Sequence, residues 1–361
     1  MNTEKVLVAM SGGVDSSITA FLLKEQGWEV IGVTFRMWDY LLNNCKAKET
    51  GCCSIESIND AKTFADKLRF QHYIIDCRKE FLTSVVENFQ SEYLAGATPN
   101  PCVRCNKYIK WHFLTKFADE IGCKYIATGH YAKVNKCNGR YFISKGADKN
   151  KDQSYFLWSL EQKDLARTIF PLGNLTKEEV KTIAEEKEFK KIKSKRESME
   201  ICFIPSGNYR QFIRERLKNT TITINEGNFV DMSGKIIGKH KGYPFYTIGQ
   251  RKGTGIAVGK PLYVIKINHL KNEIILGNKE DLIAYNLKAK NINMMKYTTV
   301  EKSKILSVKI RYQDKGTKAM VINNEQNMYV EFIEPVTAVT PGQSAVVYEE
   351  NDIVAGGIIT S

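Results

Sequence analysis

Two groups of residues in this chain have the types and spacing that chemistry needs. The first is Ser11-Gly-Gly-Val-Asp-Ser-Ser17. It follows the apolar run Val6–Met10, which reads as a buried strand. It precedes Ile18–Gln26, a run of helix formers that stops at Gly27. The glycines therefore sit in a strand-to-helix turn. Gly12 and Gly13 let the backbone approach a ligand, and the new helix points unsatisfied N–H groups at it. Hydroxyls of Ser11, Ser16 and Ser17 add donors. This is an anion cradle suited to phosphate, and it is not a Walker A loop because no lysine follows the glycines. A bare Gly-Gly turn is as often a plain connection. The order strand, glycines, serines, helix favours the phosphate reading.

The second group is cysteines. Thr98-Pro-Asn-Pro-Cys-Val-Arg-Cys-Asn106 carries two prolines that fix an extended loop ahead of Cys105. A helix is expected to begin over Asn106–Lys110. A cysteine at a helix N-terminus has a depressed pKa, and Arg104 would push it the same way, so Cys105 is a candidate nucleophile. Half a zinc site or a local redox pair on Cys102 and Cys105 is the competing reading, weakened because no second Cys-x-x-Cys exists. Ser198-Met-Glu-Ile-Cys-Phe-Ile-Pro205 contains Cys202. Between Ile201 and Phe203 this cysteine reads as buried, and it matters only within reach of Cys105. The chain has nine cysteines, an odd number, and that argues against a disulfide framework. Cys77 and Cys123 read as small buried hydrophobes. Cys45, Cys52 and Cys53 lie in a loop-like stretch and are weak metal-ligand candidates.

The elements that position these groups alternate. Strands are expected at Val6–Met10, Val30–Phe35, His72–Asp76 and Lys124–Thr128, and helices at Ile55–Leu68, Phe81–Tyr93, Lys110–Ile121 and Lys177–Lys187. Such βα repeats imply an α/β domain with a parallel sheet, Rossmann-like, covered on both faces. Ligands bind beyond the carboxyl ends of such strands, so the Ser11 loop and Gly129-His130 can share one site. After about residue 206 the pattern turns to period two. Thr220–Ile224, Leu262–Ile267 and Glu273–Leu276 read as strands. From about 283 five more short strands suggest a small barrel or sandwich. The expected division is 1–206 (phosphate loop and catalytic cysteines), 207–282 (central, β-rich) and 283–361 (β-barrel).

At 361 residues the chain is long enough for two or three domains. Its formal net charge of +13 suits a polyanionic partner as well as plain solubility. Lys190, Lys191, Lys193, Lys195 and Arg196 form a dense basic run. Lys151 and Gln153, in Asn150–Phe156, are suited to phosphate or base edges. Arg251 and Lys252 lie in a glycine-rich turn. Arg311-Tyr312 sets a cation beside an aromatic ring that can stack on RNA or simply pack across strands. No apolar run reaches the roughly 18 residues of a membrane span, and no signal-peptide h-region precedes the first strand. A cytoplasmic location is expected.

Taken together, Ala9–Ser17, Thr98–Pro101 with Cys105-Asn106, Ala127–Tyr131, Lys151–Phe156, Ile201–Phe203, Tyr246–Gly253 and Pro341–Gln343 resemble one family along the whole chain. It is the bacterial tRNA-specific 2-thiouridylases (MnmA), in the PP-loop ATP pyrophosphatase superfamily with its adenine nucleotide alpha-hydrolase type of fold. The resemblance implies that ATP adenylates the C2 oxygen of wobble uridine U34 in tRNAs of the Glu, Gln and Lys type. A cysteine persulfide then replaces that oxygen with sulfur, giving 2-thiouridine, AMP and pyrophosphate. It implies that Cys105 is the nucleophile and Cys202 the persulfide carrier, with a transient Cys105–Cys202 disulfide. Ala9, Met10, Ser11, Gly12, Gly13, Val14, Asp15, Ser16, Phe35 and Gly129 fall where the family holds ATP. Asn100, Pro101 and Cys102 fall at its target-base loop. Lys151, Asp152, Gln153, Arg311 and Tyr312 fall at its tRNA contacts. A sulfur-donor protein, such as a cysteine desulfurase or a relay carrier, is implied as a partner.

The chemistry agrees with these roles. A urea-like C2 carbonyl is a poor electrophile, and adenylation supplies a leaving group. Asp15 is suited to Mg²⁺, which offsets phosphate charge. Sulfur transfer uses two thiols, one to present the sulfur and one to release it. The chain departs from many members at Cys102, where they carry an acid. Two readings of Cys102 follow: an auxiliary thiol, or a ligand that joins Cys105 and Cys202 in holding a [4Fe–4S] cluster. Another adenylating ligase or a non-catalytic RNA-binding protein are the rival classes.

Overall fold

The structure, a computed structural model, describes residues 4–39, 55–189, 201–204, 207–218, 220–257, 259–301 and 304–360. Cys45, Cys52, Cys53 and the Lys190–Arg196 run lie outside the described residues.

The strands β1 (Lys5–Ala9), β2 (Glu29–Arg36), β3 (His72–Asp76), β4 (Tyr125–Ala127) and the two-residue β7 (Thr168–Ile169) form one parallel sheet. Alternation along β1 sends Val6 and Val8 to one apolar cluster, with Phe21 and Phe64, and Leu7 to the other. Burial on both faces explains the uninterrupted apolar run. The helices α1 (Val14–Glu25) and α2 (Ile55–Leu68) supply the first cluster. In the order β3-β2-β1-β4-β7 the direction of travel reverses between β1 and β4. In open parallel sheets ligands bind at such a reversal, beyond the carboxyl ends of the strands.

One long helical run comprises Arg78–Phe81, Leu82–Val86 and Glu87–Leu94; a second comprises Pro101–Cys105, Asn106–Trp111 and His112–Glu120. The middle piece of each is π-helical. The second run corrects the expected helix start at Asn106. Asn100 caps the helix by accepting from the Cys102 N–H at 3.2 Å, and Pro101 occupies the first helical position, where its missing N–H costs nothing.

The strands β8 (Gly227–Val230), β9 (Ile236–His240), β10 (Tyr263–Asn268) and β11 (Glu273–Gly277) form a second sheet, β10-β11-β8-β9, around Phe229, Val264, Ile274 and Leu276. Thr220–Ile224, expected as a strand, is irregular. The Thr220 hydroxyl donates to the Leu217 carbonyl and accepts from the Ile222 N–H, a local turn that competes with a ladder.

The chain ends in a closed antiparallel barrel of six strands, cyclic order β12-β15-β14-β13-β16-β17 with β12 paired back to β17. These are β12 (Ile283–Met294), β13 (Ile305–Lys309), β14 (Thr317–Asn323), β15 (Asn327–Thr337), β16 (Ser344–Glu349) and β17 (Asp352–Ile359). The hairpin β5 (Ala132–Cys137) and β6 (Arg140–Lys145) belongs by sequence to the first domain, yet β6 pairs with β17 at Ser144–Asp352. Arg140 donates to the Met294 and Met295 carbonyls, and Ser144 to Asp352 at 2.6 Å. The barrel is thereby joined to the parallel-sheet domain. No helix among the described residues is long and apolar enough to cross a membrane.

Candidate active site

The Ser11 loop leaves β1 and enters α1 at Gly13, which has no side-chain cap. Gly12 has φ +69°, and a Cβ there would stand 2.0 Å from the Ser57 carbonyl oxygen. Only glycine fits. Ser16 Oγ accepts from the Ser11 N–H and donates to the Gly13 carbonyl, both at 3.1 Å. The Ser16 hydroxyl, expected as a ligand donor, thus preforms the loop, and Ser17 is buried in it. The first-turn N–H groups of α1, which has no side-chain cap, lack partners within the helix, the arrangement an anion needs.

Gly129 follows β4, and a Cβ on it would meet the Asp15 carbonyl carbon and the Ser16 nitrogen at 3.0 Å. The two segments expected to share a site are in contact. Tyr131 donates its hydroxyl to Asp15 Oδ1 at 2.7 Å. Lys177 donates to both Asp15 oxygens, at 2.7 and 2.8 Å, from a side chain only 6% exposed. Neither partner was singled out in the sequence; the available signal was the capping box Thr176/Glu179, which fixes Lys177 at the first helical position of Lys177–Glu186. His130 is held between Trp111 and Phe170, and burial, with Lys110 adding, pushes its imidazole well below the usual range. Phe35 is a core residue, its ring tilted against Phe113.

Cys105 sits one turn inside its helix, 8% exposed, with its sulfur 3.9 Å from Met37 Sδ. Helix-dipole activation falls off within the first turn, so the thiol that faces the helix N-terminus is the exposed Cys102. Arg104 is turned away: it donates to the Ser84 carbonyl and stacks over Tyr108. Nearby Cys77 is inert, because burial, with Glu80, Asp76 and Cys105 adding, pushes its thiol up to about 12.

Cys202 is half-buried on the same apolar cluster that contains Cys105. Phe203 anchors it among Trp38, Phe81, Phe89 and Phe212, with ring centroids 5.3–6.1 Å apart. Met37 and Trp38 are chain neighbours, so one short segment touches both cysteine-bearing elements. Among the described residues no three of His, Cys, Asp and Glu are grouped to hold a metal ion.

The segments expected at RNA converge on this helix. Tyr312 packs on Phe156 at 4.5 Å, and the Phe156 carbonyl accepts from the Asn106 amide. Arg311 is exposed. Gln153 exchanges hydrogen bonds with the Tyr131 backbone. Asp148 holds the N–H groups of Lys151 and Lys177. Asp152 is different: its carboxylate is turned inward onto Gly146 and Ser154. Arg251 and Lys252 are exposed on a separate turn.

Three family models match the chain: a tRNA methyl transferase HUP domain over residues 4–206, a tRNA methyl transferase PRC-barrel domain over 210–278, and an aminomethyltransferase β-barrel domain over 284–359. The chain is 50% identical over 360 residues to the tRNA-specific 2-thiouridylase MnmA of Amoebophilus asiaticus, covering 99% of this chain and 96% of that protein. It is 49% identical to that of Cytophaga hutchinsonii, over 99% and 97% of the two chains. To that of Clostridium kluyveri it is 45% identical over 99% of both. At that identity and coverage, with the glycine-serine loop and both cysteine segments in place, the chain belongs to the tRNA-specific 2-thiouridylase family.

Proposed function

We propose that this protein is an ATP-dependent tRNA sulfurtransferase that converts wobble uridine to 2-thiouridine. Two observations support the reading: the glycine-serine loop after β1 packs against Gly129 after β4, and Cys105 and Cys202 lie on one apolar cluster. The matching models speak of methyl transfer, but a methyl donor needs neither an adenylating loop nor two thiols.

Ala9 to Ser16, with Phe35 and Gly129, hold ATP. Lys177 is placed to neutralise phosphate, and Asp15, a hard oxygen donor, would hold Mg²⁺ once its ammonium partner turns to the phosphates. The ion, when bound, offsets phosphate charge during adenylation. The uridine C2 oxygen attacks the α-phosphorus, pyrophosphate leaves, and C2 becomes electrophilic. Cys202 carries a terminal sulfur as a persulfide. That sulfur attacks C2, and AMP leaves with the former uridine oxygen. The Cys105 thiolate then attacks the Cys202 sulfur, releasing 2-thiouridine and leaving a Cys105–Cys202 disulfide, which a reductant reopens. Asn100, Pro101 and Cys102 seat the extruded base, whose unstacking costs about a few kcal/mol. The exposed Cys102 serves as an auxiliary thiol in place of an acid; no step runs through a cluster. Lys151, Gln153, Arg311 and Tyr312 contact a tRNA of the Glu, Gln or Lys type, and a separate donor protein loads Cys202. The division at 206/207 and 282/283 separates ATP chemistry from two RNA-docking parts.

The test is incubation with a tRNA-Glu transcript, Mg-ATP and a persulfide donor, followed by nucleoside analysis. Formation of 2-thiouridine, lost in Cys105→Ser and Cys202→Ser, supports the reading. Full activity in both variants overturns the assigned roles.

A further inference from the structure

The loop ahead of Cys102 and Cys105 is held by the far end of the chain. Thr98 donates its backbone N–H to the Pro341 carbonyl at 2.8 Å. Gln343 Nε2 donates to the Thr98 carbonyl at 2.8 Å and reaches the Pro99 carbonyl at 3.4 Å. Gly342 lies flat on the same residue: its φ is +91°, and a Cβ there would stand 2.8 Å from the Thr98 oxygen. The clasping turn is itself fixed to the barrel. Gly342 N–H donates to the Ile359 carbonyl, Ile359 N–H to the Gln343 carbonyl, and Gln343 N–H to the Thr340 carbonyl.

The clasped segment is short, with Pro99 buried in it, and is tied at both ends. Upstream, Ala97 N–H closes onto Glu92 at the end of the preceding helix. Downstream, Asn100 caps the helix that carries Cys102 and Cys105. Thr98 and Pro99 lie between, so the position of the barrel turn, together with Tyr155 bonded to Asn100, sets where Asn100 and the helix start sit. Misplacing a reacting group by about 1 Å costs on the order of 10²-fold in rate.

We propose that the Pro341–Gln343 turn of the C-terminal barrel is a positioning element for sulfur transfer, and that Gln343 is its positioning residue. Gln343 acts through the Thr98–Asn100 loop on the start of the Cys105 helix. The barrel is thus part of the catalytic machinery as well as a docking module. The proposal rests on the assignment of Cys105 as nucleophile.

The test uses the full-length protein with a tRNA-Glu transcript, Mg-ATP and a persulfide donor. Gln343→Glu keeps the shape and removes the donor, so its carboxylate faces two carbonyls. Gly342→Ala keeps the amide and pushes Thr98 away. Both are expected to lower kcat for 2-thiouridine formation at least tenfold while the tRNA and ATP KM values stay within about twofold. Unchanged kcat in both overturns the proposal. So does a raised tRNA KM with kcat retained, which would make the turn an RNA contact. Cys105→Ser in the same assay separates the two failures: activity there sinks the nucleophile assignment, whereas its loss beside active Gln343→Glu sinks the clasp alone.

Discussion

Lys177 grips both carboxylate oxygens of Asp15, joining the first turn of one helix to the phosphate loop at the start of another. The ammonium is buried and the carboxylate is partly exposed. An incoming polyphosphate therefore meets a cation already desolvated and aimed, which is worth more than a surface lysine. Lys177→Met should reduce tRNA-dependent pyrophosphate release by on the order of 10²-fold, as loss of one such electrostatic contact does elsewhere. A variant with wild-type release rates would remove Lys177 from the chemistry.

The two loop glycines are unequal. Gly12 is left-handed and abuts the Ser57 carbonyl, whereas Gly13 has extended backbone and meets only Ser11 Oγ, at 3.5 Å. Gly12→Ala carries the left-handed penalty of about 1–2 kcal/mol and a backbone collision besides. It should lower the melting temperature and abolish ATP binding. Gly13→Ala should melt near wild type. Equal melting of both variants would contradict this account of the loop.

Much of this was legible in the residues. The run Val6–Met10 signals a strand buried on both faces, and the Gly-Gly-serine order signals the cradle. The Ser11 loop and Gly129 both follow strand ends, which the sequence shows, and they meet because β1 and β4 are neighbours in the sheet, which it does not. Other features were less visible. Strand β12 reads as polar because Lys288 and Lys290 lie outside while Leu287 and Ala289 fill the barrel. The β5–β6 hairpin had a signal in Asn138-Gly139, both at positive φ, but nothing local says that it joins a barrel formed 200 residues later. Lys177 and Gln343 were invisible as site residues because their partners are distant in sequence.

The residues proposed to contact RNA should separate by what their side chains touch. Asp152 accepts three hydrogen bonds inside the protein, so Asp152→Ala leaves buried donors unpaired and should cost about 1–3 kcal/mol of stability. Arg311 is exposed, so Arg311→Ala should leave stability alone, weaken tRNA binding and flatten the log–log salt dependence by about one unit. Urea unfolding and filter binding at several salt concentrations distinguish the two. A stable Asp152→Ala with a reduced salt slope would reverse their roles.

Acid should destabilise the fold in two stages. Burial lowers the imidazole pKa of His72, His130 and His240, which the folded protein therefore keeps neutral. Unfolded, each takes a proton near its ordinary value of 6.5. The unfolded state thus binds more protons below that pH, so stability is intact above about pH 6.5 and falls as pH drops, by up to about 1.4 kcal/mol per pH unit for each histidine. Glu349 enters later. Burial alone would raise its pKa, but Lys296, Lys304 and Tyr297 override this and hold it at about 2, against an ordinary 4.5. Its contribution is present above pH 4.5 and lost as pH falls towards 2. Urea midpoints at pH 7.5, 6, 5 and 3.5 should fall from the second measurement onward. In Glu349→Gln the additional loss below pH 4.5 should shrink. A midpoint that stays flat from pH 7.5 to 5 would show that these histidines are protonated in the folded state.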